Sequence, residues 1–98
     1  MKFLMITKFP HEPFNSYVKE GTAGTKIQEV MEAIQPEAAY LTEIDGFRAG
    51  IYVVNIDDYS QLPSKSEPFF LTFQAQVQFH VCMTPEEIGR SGLDEMMR

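Results

Sequence analysis

Gln74, Gln76, Gln78, His80 and Cys82 are spaced by two and alternate with Ala75, Val77, Phe79 and Val81. That period puts the two sets on opposite faces of a β-strand. The polar set forms a wall of hydrogen-bonding groups, with His80 as the member able to change charge near neutral pH. Such a wall suits a small ligand. It equally suits a strand whose amides pair with a second subunit or with water, because buried polar groups must be paired in any case.

A second constellation sits around Asp45-Gly46. This dipeptide between two apolar runs signals a two-residue hairpin turn. The resulting register sets Ile44 opposite Phe47 and Glu43 opposite Arg48, so a cross-strand Glu43–Arg48 ion pair is expected. Exposed, such a pair contributes roughly 0–1 kcal/mol. In a pocket beside Tyr52, on the same face of the strand, it would bind a polar substrate.

The remaining candidates are isolated. His11 follows Pro10 where the first strand meets the first helix, a position where loops often carry function. His11 and His80 alone, without a third ligand at a recognisable spacing, do not define a metal site. Cys82 has no basic neighbour in sequence to activate it and reads as a packing residue. Gly21-Thr22-Ala23-Gly24-Thr25-Lys26 lacks the spacing of a phosphate-binding loop and follows a helix, so a helix joint explains its glycines better.

Several elements must position these groups. Residues 2–9 read as a strand, 13–34 as mostly helix, and 38–44 and 47–56 as the hairpin strands. Residues 64–73 read as a short helix, 74–82 as a strand and 84–97 as a terminal helix. Phe14, Tyr17 and Val18 share one helical face; Ile27, Val30, Met31 and Ile34 share another, about 150° away. One straight helix cannot bury both. A break at Gly21–Gly24 is expected, with Thr25 and Gln28 capping the restart. Thr84-Pro85-Glu86-Glu87 and Ser64-Lys65-Ser66-Glu67 both match capping boxes, the second placing Pro68 in a first turn.

The order β-α-β-β-α-β plus a helix is the split βαβ, ferredoxin-like α+β pattern. It gives an antiparallel sheet with the helices on one face, and residues 1–98 as one domain. The other face needs a cover, and a second copy of the chain is the economical one. Phe69, Phe70, Phe73, Val77, Phe79, Ile51 and Val53 are the expected core.

Charge and composition narrow the partners. Eight basic against fourteen acidic residues leave a net charge of −6, which disfavours nucleic acid. With 44% hydrophobic and 22% charged residues the chain has a globular composition. A lone cysteine allows no internal disulfide, and the apolar run at the N-terminus is too short for a secretory or membrane segment. The default compartment is the cytoplasm. No cofactor is called for.

Glu67-Pro68-Phe69-Phe70-Leu71, the strand after it, and Met83-Thr84-Pro85-Glu86-Glu87 resemble a family of small bacterial proteins of unassigned activity. That family is similar in turn to the dimeric α+β barrel superfamily. The resemblance implies a ferredoxin-like protomer that forms a homodimer by packing its sheet on a partner's sheet; the leading functional expectation is that this dimer binds a small molecule or serves as a dimerising module. Superfamily activities include cofactor-independent monooxygenases and isomerases, for which His80, Tyr40, Tyr52 or Glu43 would transfer protons. A ligand-sensing regulatory domain is a further alternative. RNA recognition is rejected: on the third strand, Gly50 and Asn55 stand where such a module needs aromatics.

Overall fold

Strand β1 (Lys2–Phe9) alternates apolar residues on both faces, as a central strand must. In the computed structural model, which describes residues 1–97, β1 pairs antiparallel with β3 (Phe47–Asn55) on one side and β4 (Gln76–Val81) on the other. Strand β2 (Ala38–Ile44) extends the sheet beyond β3, giving the order β2-β3-β1-β4. This is the ferredoxin-like α+β arrangement.

The hairpin forms in the expected register, with Glu43 opposite Arg48 and Ile44 opposite Phe47. Asp45 and Gly46 both take positive φ, at 55° and 80°. A two-residue turn of that hand matches the twist of the strands, and its second position favours glycine.

The first helical region is two pieces. Helix α1 (His11–Glu20) has regular dihedrals only from Pro13 onward, since Glu12 is extended. Gly21, in the left-handed conformation, closes it, with the Gly21 N–H donating to the Val18 carbonyl. Helix α2 (Ala23–Ile34) restarts two residues before Thr25, so the Thr25–Gln28 capping expected from sequence is not used. The break lets Phe14 from α1 and Val30 and Ile34 from α2 all enter one core. Val18, expected to share the inner face, is exposed.

Helix α3 (Leu62–Phe73) begins earlier than its sequence suggests. Asp58 caps a preceding 3₁₀ turn (Tyr59–Gln61) in a reciprocal box with Gln61, and the helix continues directly from it. Ser64 donates to the Gln61 carbonyl instead of capping, and Pro68 lies inside the helix rather than in its first turn. Helix α4 (Pro85–Arg90) has the expected cap, with Thr84 and Glu87 bonded to each other's backbone N–H. It is shorter than 84–97 because Gly92 turns left-handed and a separate 3₁₀ turn (Leu93–Glu95) follows.

All helix–sheet packing lies on one face. Phe3, Met5 and Phe9 of β1 and Tyr52 and Val54 of β3 meet Phe69, Phe73, Val30 and Ile34. Phe9 anchors the aromatic centre, its ring 5.0 Å from Phe73 and 5.4 Å from Phe14. Val77 and Phe79 pack against this core, as the alternation of β4 requires. Three residues expected there do not. Phe70 points outward from α3, because it sits about 100° around the helix from Phe69. Ile51 and Val53 lie on the opposite face of the sheet, out of step with Tyr52.

Candidate functional site

The open sheet face collects Leu4, Ile6 and Lys8 of β1, Phe47, Ile51 and Val53 of β3, and Gln76, Gln78 and His80 of β4. Register fixes the polar wall: Gln76, Gln78 and His80 stand opposite Lys8, Ile6 and Leu4. All three wall residues are exposed, and the His80 Nε2 and Gln78 Oε1 lie 3.4 Å apart. The expected grouping of these three is therefore present. No helix covers it.

Two shallow depressions flank Lys8 on this face. One, about 200 Å³, lies between Pro10, Phe47, Gln74 and Gln76. The other, about 230 Å³, lies between Ile6, Ile44, Asp45, Gln76 and Gln78. The Lys8 ammonium is 3.5 Å from Asp45 and 5.3 Å from the Phe47 ring centroid. His11 stacks on the other partner of that cluster, its ring 4.9 Å from Phe47. His11 and His80 sit toward opposite ends of β1. Among the described residues, no three His, Cys, Asp or Glu side chains are grouped to hold a metal ion.

Arg48, Glu43 and Tyr52 lie on the helix side, so they share no surface with the Gln76–His80 wall. The expected Glu43–Arg48 ion pair does not form. Glu43 turns to the hairpin and accepts from the Gly46 N–H at 2.6 Å, satisfying a turn donor. Arg48 instead reaches into the helix layer. Its Nη1 donates to Asn15 Oδ1 at 2.8 Å, and its guanidinium lies 4.4 Å from the Phe14 ring centroid.

Tyr52 is sealed, at 1% exposure. Its hydroxyl meets Thr7 Oγ1 at 2.9 Å across the sheet. Burial raises the phenol above its ordinary pKa, and the Thr7 hydrogen bond opposes that shift. The ring folds back over Gly50, where an added Cβ would stand 1.9 Å from the Tyr52 oxygen. A glycine is therefore required there by space, not by backbone conformation.

Between α1, α2 and the β2–β3 end of the sheet lies a cleft of about 330 Å³ lined by Phe9, Phe14, Ile27, Leu41, Thr42, Arg48 and Ala49. It exists because the helices leave the helix side of β2 bare: Leu41 points that way yet is 60% exposed. The Gly21–Gly24 joint carries no phosphate-loop geometry, since Gly21 ends one helix and the next begins at Ala23. Cys82 is half-buried, with its N–H bonded to the Lys2 carbonyl.

Lys8 and Asn15 are the polar neighbours of the candidate residues that sequence patterning passes over. Lys8 was accessible in principle, since the period of β1 puts it beside Ile6 on the open face. The Asn15–Arg48 contact spans 33 residues and has no local signature.

No protein-family model matches this chain, and no curated protein matches it in sequence. Among solved structures, the 5-chloro-2-hydroxyhydroquinone dehydrochlorinase of Burkholderia phenoliruptrix, determined in complex with 2,5-dihydroxybenzoquinone, is similar. It superposes with a TM-score of 0.56 at 14% identity, over 89% of this chain and 99% of that one. At that identity the likeness establishes the fold, an α+β protomer with a four-stranded antiparallel sheet, and leaves the chemistry to the side chains.

Proposed function

We propose that the protein is a homodimer joined through its open sheet face, which binds a small molecule against the Gln76–Gln78–His80 wall. The observation that carries this reading is the open face itself. Leu4, Ile6, Ile51 and Val53 form a continuous apolar strip across the two central strands, with no helix among the described residues over it. An apolar surface of this kind on an antiparallel sheet favours a second layer. The fold class is typically dimeric, and two such sheets facing each other would enclose the polar wall at the seam.

Light scattering tests the dimer. The expected mass is twice the 11.2 kDa of the chain. Ile51→Glu is expected to give a folded monomer, because it places a charge in the seam without touching the helix-side core. A monomeric wild-type protein at micromolar concentration overturns the reading.

The fold likeness to a dehydrochlorinase supports a second reading, a cofactor-independent enzyme using His80 as its proton-transfer group. Its test is chloride release from 5-chloro-2-hydroxyhydroquinone, with loss of activity in His80→Ala. Absence of turnover by the wild-type protein on this compound removes the support that the likeness provides.

A further inference from the structure

We propose that the helix-side cleft around Arg48 binds a small aromatic carboxylate. The site is on the opposite side of the sheet from the proposed seam, and it stands whether or not the chain dimerises.

Arg48 is the one full charge in a lining whose other members are the apolar Phe9, Phe14, Ile27, Leu41 and Ala49 and the neutral Thr42. Among the described residues it has no carboxylate partner: the ion pairs are Lys2–Glu37 and Lys8–Asp45. Its cross-strand neighbour Glu43 is engaged by the hairpin turn. A half-buried guanidinium left without a counter-charge is unusual in a chain with fourteen acidic residues. Its recorded partners are the Phe14 ring and the neutral Asn15 amide.

That arrangement also fixes the fork. The guanidinium carbon lies over the Phe14 ring, and the Asn15 oxygen holds Nη1. The remaining N–H groups are those a carboxylate engages bidentately through charge-assisted hydrogen bonds. A single cation in an apolar cleft matches a monoanion better than a phosphate dianion. The volume, about 330 Å³, lies at the small end of ligand pockets and suits one ring with a short substituent. Such a ring would cover Leu41, which the helices leave bare.

Titration of isotope-labelled protein with benzoate, followed by amide chemical shifts, tests the assignment. Benzoate is expected to shift the Phe14, Leu41 and Arg48 amides saturably, about tenfold more tightly than neutral benzamide. Acetate, which lacks the ring, is expected to bind more weakly than benzoate. Arg48→Gln is expected to reduce benzoate affinity about tenfold, and Arg48→Lys, which keeps the charge but not the fork, to fall between. Equal affinities for benzoate and benzamide overturn the proposal. So do shifts confined to Gln76, Gln78 and His80, or no binding at millimolar benzoate. The ligand comparison on the wild-type protein decides the matter even where a variant fails to fold.

Discussion

Along β1, Phe3, Met5, Thr7 and Phe9 alternate with Leu4, Ile6 and Lys8, and the two sets meet different surroundings. The first set is buried under three helices; the second is only half-covered, on a face over which no described element packs. Strand β3 repeats the contrast, with Tyr52 and Val54 sealed and Ile51 and Val53 half-exposed. The same backbone thus carries a finished core on one side and an unfinished one on the other. Stability belongs to the helix side. The open side is free to serve association.

The largest effect should come from the aromatic centre. Phe73→Ala removes a fully buried ring that packs on Phe9, Phe14 and Tyr17, and should cost about 3–5 kcal/mol in chemical denaturation. Ile51→Ala, on the open face, should cost the monomer about 1–2 kcal/mol, in proportion to its partial burial. Equal costs would break the contrast between the faces.

Gly50→Ala probes how tightly the helix side is filled. Its Cβ would enter the space of the Tyr52 ring, so a loss of about 1–3 kcal/mol is expected. Adding Tyr52→Phe removes the nearest clashing atom, and the double variant should recover part of that loss. Full additivity would show that the ring moves aside freely.

A smaller effect is expected at the buried Thr7–Tyr52 contact between strands of the helix side. Tyr52→Phe alone should cost about 1 kcal/mol, and a cycle with Thr7→Val should show the two losses to be coupled. Independent losses would mean the hydroxyls are satisfied separately.

The smallest effect falls at the rim of the open face. Hydrogen bonds from Lys2 and Asn55 hold Glu37 below its ordinary value of 4.5. Because the folded-state pKa is depressed, the contribution is fully present above pH 4.5 and is lost as pH falls through the folded value. Melting curves of wild type and Glu37→Gln should therefore differ slightly above pH 4.5 and converge as pH falls through the folded-state value. The difference stays small because Glu37 is solvent-screened.

Much of the architecture is legible locally. The Asp45-Gly46 turn sets the hairpin register through its own dihedrals, and the Thr84 box starts α4 through bonds within four residues. The alternation of β4 correctly divides Val77 and Phe79 from Gln76, Gln78 and His80. The split between α1 and α2 is legible because two apolar stripes at different angles cannot share one axis. The restart of α2 and the start of α3 are less so, because several polar residues compete as caps and only packing selects among them. The candidate site is legible by half: the wall residues assemble as a group, whereas Arg48 leaves Glu43 for Asn15.

What the sequence determined by itself is the set of contacts with short reach: the period of each strand, the hairpin turn and the α4 cap. These depend on dihedral preferences and neighbouring side chains, which the chain carries with it. What only the tertiary structure decided is which apolar row is covered and where each long side chain goes. Ile51 and Tyr52 are both strand-forming residues of one strand, and nothing local says which will meet the helices. Arg48 has an acidic neighbour across the hairpin, yet folding offers it an aromatic ring and an amide from α1. That choice follows from three-dimensional proximity, and it leaves a cation facing an apolar cleft.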